Sequence, residues 1–246
     1  MTSTIELIQV SKSFGKKTVL NNINIKVDAG QIFGLIGPSG SGKTTLVKLI
    51  VGMDQPSSGQ VQVLNTQVPN LKLLQSIGYM AQADALYNDL TGQENLAFFA
   101  SLYKLRKDVQ EERIAYAANL VALTPHLSKK VQNYSGGMKR RLSLAIALIH
   151  DPQILILDEP TVGIDPELRK SIWAEIVRLK SEGKTILITT HVMDEAEKCD
   201  QLAMVRGGEI ISNGSPAALK SHYNINSLEE VFLRAGGEKD ENNRIS

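Results

Sequence analysis

Gly37-Pro38-Ser39-Gly40-Ser41-Gly42-Lys43-Thr44 follows the apolar run Ile32–Ile36 and precedes a stretch, Leu46 to Val51, that reads as a helix ending near Gly52. The stretch satisfies G-x-x-x-x-G-K-[ST] in full. Phosphate oxygens need convergent N–H donors, and a chain bare at Gly37, Gly40 and Gly42 lets its backbone close around them. The helix predicted to follow aims the positive end of its dipole at the same point. Lys43 then reaches the β- and γ-phosphates and the Thr44 hydroxyl ligates Mg2+. Pro38, Ser39, Ser41 and Thr45 complete the candidate contacts. A flexible surface loop can also be glycine-rich, but at average residue usage this pattern arises by chance on the order of once in a hundred chains of this length.

Upstream of the loop the sequence alternates. Ile23, Ile25 and Val27 point one way, Asn22, Asn24 and Lys26 the other, and Ile5 and Leu7 begin a similar pattern. Antiparallel strands with one wet face are predicted, with a turn at Asp28-Ala29-Gly30. Downstream the period changes. Thr91 and Glu94 form a T-x-x-E capping box, and Leu96, Phe99 and Tyr103 recur at helical spacing. Helical patterns return at residues 111–121 and 137–149, which predicts an all-helical insertion over roughly residues 84–150. Apolar strands resume at residues 154–157 and 185–189, on either side of a helix opened by Pro166 and closed by Gly183. Gly207-Gly208 signals a hairpin. Strands and helices in this alternation predict an α/β fold: a P-loop NTPase core with a mainly parallel sheet, an N-terminal antiparallel β-subdomain and an inserted all-helical lobe. One domain is expected over residues 1–235, with a polar, disordered tail over residues 236–246.

Composition excludes several classes. The 246 residues carry a formal net charge of +1 with both signs interspersed, which gives no reason to expect nucleic acid as a partner. Cys199 is the single cysteine, so no intrachain disulfide is expected. The opening MTSTIELIQV lacks the basic and apolar regions of a secretory signal. No apolar run approaches the roughly 18–20 residues that span a bilayer. A soluble chain is expected, with any membrane span supplied by another subunit.

Ile154-Leu155-Ile156-Leu157-Asp158-Glu159 is an apolar strand ending in two carboxylates. Ligands of parallel sheets gather at the carboxyl ends of strands. Asp158 is therefore a candidate to hold Mg2+ through water, and Glu159 to polarise an attacking water as general base. Tyr134-Ser135-Gly136-Gly137-Met138 precedes a helix carrying Leu142, Ala145, Ile146 and Ile149. A serine and two glycines at a helix start make an anion site or an ordinary N-cap, and local physics favours the cap.

On these motifs the chain resembles the ABC ATPases, which carry an LSGGQ-type signature at this place, shortly before the strand that ends in carboxylates. The resemblance covers nearly the whole chain. Phe14 matches the aromatic that stacks on adenine, Gln82 the Q-loop glutamine that touches Mg2+ and water, and Val162-Gly163-Ile164-Asp165 the D-loop. His191 matches the H-loop histidine at the γ-phosphate. Each has a plainer alternative: an edge-strand aromatic, a solvated glutamine, an Asp-Pro helix cap at Asp165, a structural histidine. Tyr134 and Met138 depart from the usual leucine and glutamine. The basic run Lys139-Arg140-Arg141 reads most simply as a solvated helix face.

The resemblance implies a head-to-tail homodimer or heterodimer enclosing two ATP molecules with Mg2+. Thr44, Gln82 and Asp158 would hold the metal. Lys43, Gln82 and His191 of one subunit, with Ser135 and Gly137 of the other, would meet each γ-phosphate, and Gly136 and Asp165 are further candidate nucleotide-binding residues. It also implies a transmembrane permease subunit that holds the chain at the cytoplasmic face of a membrane. The YSGGMKRR and THVMDEAE runs resemble the exporter branch that handles drugs, lipids, polysaccharides or peptides. An iron–sulfur assembly ATPase and an importer ATPase are the alternatives; the latter usually adds a C-terminal domain. Leu86, Tyr87, Leu90, Phe98 and Phe99 either pack inside the helical lobe or line a groove for the membrane subunit.

Overall fold

The computed structural model describes residues 3–83 and 85–242, with side chains described up to residue 237. The chain divides into two compact units, one formed by the residues up to Leu73 together with those from Leu187 onward, the other by Leu74–Ile186.

The first unit opens with β1 (Ser3–Phe14) and β2 (Lys17–Asp28), then β3 (Ile32–Ile36), α1 (Lys43–Val51), β4 (Ser58–Val63) and β5 (Thr66–Gln67). β1 and β2 pair antiparallel with Ile5 opposite Val27, Leu7 opposite Ile25 and Val10 opposite Ile23. All six side chains are buried while Asn22, Asn24 and Lys26 face water, the outcome the alternation predicts. β4 takes the other edge of β1, giving the order β2-β1-β4-β5. α1 packs against β2 and β4 through Leu46, Val47, Leu49 and Ile50, each fully buried. It ends at Gly52, whose φ of 78° is the left-handed conformation of a C-terminal cap.

The second unit contains β6 (Ile77–Met80), α2 (Gly92–Leu102), α3 (Lys107–Leu120), α4 (Gly136–Leu148), β7 (Ile154–Asp158) and α5 (Pro166–Ser181). β6 and β7 are parallel, Ile77 opposite Ile154 and Met80 opposite Leu157. α4 lies on β6 so closely that a Cβ at Gly78 would stand 2.1 Å from the Ala147 carbonyl oxygen. The Thr91–Glu94 box forms as predicted. Glu94 N–H donates to Thr91 Oγ1 at 3.1 Å, and Thr91 N–H donates to Glu94 Oε2 at 2.7 Å. Helices α2, α3 and α4 pack on one another around Leu96, Ala100, Ile114, Ala117 and Leu144.

The chain leaves the second unit along β8 (Thr185–Thr190) and completes the first with α6 (Met193–Ala196), β9 (Gln201–Arg206), β10 (Glu209–Gly214), α7 (Pro216–Tyr223) and α8 (Leu228–Asn242). β9 runs parallel to β3 and turns into antiparallel β10 through Gly207 and Gly208, both at positive φ as a two-residue hairpin requires. Among the described residues no helix is long and apolar enough to cross a membrane.

The end of the chain departs from expectation. Residues 236–242, expected to belong to a disordered tail, continue α8; residues 243–246 lie outside the described residues. Leu228, Val231 and Ala235 recur at helical spacing and bury to 2% exposure or less, so the helix starts on core contacts and the polar stretch extends an existing nucleus. Gly236 lets the helix meet Arg206, whose Nη1 would lie 1.8 Å from a Cβ there.

Candidate active site

In the first unit, β3 is buried along its whole length and delivers the chain into the glycine loop. Each glycine is needed for its own reason. A Cβ at Gly37 would stand 2.2 Å from the Val205 carbonyl oxygen, so β9 allows no side chain there. Gly40 meets nothing but has a φ of 78°. Gly42 has both constraints, a φ of 110° and the Leu20 Cδ2 at 2.7 Å from a Cβ. Gly42 is also the N-cap of α1 and offers no side chain to the first turn. Thr91, Ser135, Asp165 and Ser215 do cap the helices that follow them. No capping side chain therefore stands between the leading N–H groups of α1 and an anion. Lys43 is only 5% exposed, and its Nζ donates to the carbonyls of Gly37 at 2.7 Å and Pro38 at 3.1 Å. Ser41 Oγ is buried and has no hydrogen-bond partner among the described residues. A positive charge, an uncapped helix start and an unsatisfied hydroxyl around one bare loop fit a polyphosphate.

β8 ends at Thr190. Its hydroxyl donates to Glu195 Oε2 at 2.7 Å and accepts from the Val192 N–H at 3.0 Å, which fixes the turn that presents His191 at the surface. Phe14, at the end of β1, is 53% exposed, with Lys12 Nζ 4.8 Å from its ring centroid. An exposed aromatic face is free to stack on a base.

In the second unit, β7 is buried throughout and ends at Asp158, itself 1% exposed. Glu159 follows with a φ of 53°, a left-handed backbone that a non-glycine residue adopts rarely. The residue that grips this turn is Arg140. It is 8% exposed, and its guanidinium donates to four backbone carbonyls. Nη1 reaches Ala81 at 2.7 Å and Gln82 at 2.9 Å; Nη2 reaches Glu159 at 2.7 Å and also Asp158. The basic run is thus not one solvated face. Lys139 Nζ donates to Asn88 Oδ1 at 3.2 Å near the surface, while Arg141 donates to the carbonyls of Val121 and Ala122 just beyond α3. Arg140 shares the buried face of α4 with Ser143, Leu144 and Ala147 at helical spacing. That phase is the signal in the sequence for burial of Arg140, while its charge by itself suggests solvent.

Ser135 is the N-cap of α4, its Oγ accepting from the Met138 N–H at 3.2 Å, and it remains exposed with Gly136. Gly137 lies close to the D-loop segment, since a Cβ there would be 3.3 Å from the Gly163 carbonyl oxygen. Tyr134 turns inward, 6% exposed, and its hydroxyl donates to the His126 carbonyl at 2.8 Å, so the departure from leucine at this position fills the lobe and satisfies its own polar atom. Asp165 caps α5 by accepting from the Leu168 N–H at 3.0 Å, the plainer of its two readings. Gln82 is exposed, just after β6.

Comparison with known proteins gives the same answer from another direction. The family profile described as "ABC transporter" matches residues 20–162. The chain is 42% identical over 243 residues to the Nod factor export ATP-binding protein I of Neorhizobium galegae, covering 98% of this chain and 69% of that protein. It is 41% identical over 239 residues to the probable multidrug ABC transporter ATP-binding protein YbhF of Escherichia coli (strain K12), covering 94% of this chain and 41% of that one. A solved ATP-binding subunit of an ABC transporter superposes with a TM-score of 0.88 at 26% identity, over 95% of this chain and 99% of its own. A dimeric ATP-binding cassette, in a post-hydrolysis state bound to ADP and phosphate, superposes with a TM-score of 0.79 at 26% identity, over 86% and 98%. A glycine cradle around a buried lysine, a strand ending in two carboxylates and a serine-glycine helix start are thus found in a chain that belongs to the ABC transporter family, as an ATP-binding and ATP-hydrolysing subunit.

Proposed function

We propose that this subunit works as a dimer and powers export of a substrate through a separate transmembrane permease. The observation that carries the membrane partner is an exposed aromatic cluster. Tyr87 is 48% exposed and Phe98 42%, with ring centroids 4.8 Å apart; Phe99 lies 5.4 Å from Phe98, and Leu102 beside them is 60% exposed. Clustered exposed apolar groups of this kind mark interaction surfaces. The names of the relatives support export over iron–sulfur assembly or import. The domain is taken as residues 1–235 with a helical lobe at roughly 84–150.

Each residue has its own task on the nucleotide. Phe14 stacks on the adenine. The backbone of residues 37–45, with Lys43, cradles the phosphates. Glu159 takes the proton of the attacking water, and Gln82 orients that water. His191 contacts the γ-phosphate. The partner subunit's Ser135, Gly136 and Gly137 close the other side, with Asp165 at the dimer seam. The oxygen donors of Thr44, Gln82 and Asp158 suit Mg2+, which when bound would neutralise charge on the β- and γ-phosphates.

Tyr87→Glu tests the membrane partner. The exposed ring can be replaced without unfolding the lobe, so the variant should melt within a few degrees of the parent and hydrolyse ATP normally. It should be lost from membrane pull-downs with the permease. A stable variant that still assembles normally would remove this surface from the interface.

A further inference from the structure

We propose that Arg140 is a positioning residue for hydrolysis, holding the Glu159 backbone in its active turn and fastening it to the Gln82 segment. This rests on the reading of Glu159 as general base. A guanidinium is always charged, and burying it demands partners. Arg140 finds them at the carboxyl ends of two adjacent parallel strands, Ala81 and Gln82 after β6, Asp158 and Glu159 at the end of β7. One planar fork thus spans both segments that carry candidate catalytic side chains. The left-handed φ of Glu159 gives the clamp a task. A glutamate in that region tends to relax toward commoner backbone angles, which would re-aim its carboxylate. The Nη2 bonds to two successive carbonyls oppose that relaxation. Because the fork is rigid, displacement of the Gln82 segment is also felt at Glu159. In this role Arg140 acts through the backbone carbonyls.

Arg140→Lys keeps the charge but loses the planar fork, so a single nitrogen must serve carbonyls that two nitrogens now share. With the full chain and Mg·ATP, nucleotide affinity and KM should stay within about twofold of the parent while kcat falls on the order of 10- to 100-fold, the effect of a misplaced reacting group. Amide exchange should rise at residues 161–162 and 82–83. In a Glu159→Gln background the same substitution should lower the residual turnover no further, since the group it positions is already gone. An equal loss of kcat in both backgrounds would overturn the proposal while leaving the base assignment intact. Unchanged turnover in Glu159→Gln alone would instead remove the base, and the exchange data would still report on the clamp. Arg140→Gln is the second variant. If both variants fail to fold by circular dichroism, or if KM rises while kcat holds, Arg140 is structural and the positioning role falls.

Discussion

Glu159→Gln is expected to retain ATP affinity and lose turnover by on the order of a hundredfold or more, the usual contribution of a general base. The amide keeps the shape and the backbone of the parent, so the carbonyl bonds from Arg140 remain available. In the proposed mechanism, what disappears is the acceptor for the proton of the attacking water. A dimer that closes on ATP and cannot hydrolyse it should accumulate, because in the proposed arrangement hydrolysis would remove the γ-phosphate contacts that hold the halves together. Size-exclusion chromatography with ATP should show a dimer peak that the parent shows only transiently. Turnover near the parental rate would take Glu159 out of the base role.

Lys43→Ala acts on the other half of the chemistry. Lys43 is buried within its own loop, and its ammonium is the one side-chain charge bonded to the loop carbonyls among the bonds described there. Truncating a buried, hydrogen-bonded charge facing an anion typically costs about 2–5 kcal/mol, or roughly 30-fold or more in affinity. A lysine that cradles phosphate as proposed would neutralise its charge before as well as during reaction, so the loss should appear in ground-state binding and not in kcat alone. Fluorescence titration with nucleotide would show it, with a thermal melt to confirm that the loop still folds. Unchanged affinity would mean that residues 37–44 do not cradle the phosphates.

The residues divide clearly by what a sequence can convey. Features fixed by local rules were legible: the alternation of β2, the Thr91–Glu94 box, the paired glycines of the β9–β10 hairpin and the glycine loop after β3 all formed where predicted. Features fixed by tertiary partners were not. Arg140 reads as a surface charge until the strand ends after β6 and at β7 come to meet it. The end of α8 reads as a solvated tail because its nucleus, Leu228 and Val231, is buried where α8 packs on α7, β10 and α6, which the polar stretch itself does not show. Ser135 and Asp165 show a third case. Their cap bonds are present, and the same oxygens at an exposed helix start are the ones a ligand would meet, so the local reading and the functional one share atoms. The aromatics of α2 divide between the two possibilities: Phe98 stands out in solvent, whereas Phe99 is half-buried.

The φ of 53° at Glu159 sets a limit on how robust this chain can become. Glycine would occupy that angle without penalty and asparagine nearly so, whereas other L-residues give up about 1–2 kcal/mol. A mutant library sorted only for survival of heating should therefore collect glycine or asparagine at position 159, and every such winner would have discarded the carboxylate. With Glu159 as the proposed base, heat tolerance and turnover would compete for a single dihedral angle, and improvement by stability screening would need that position held fixed.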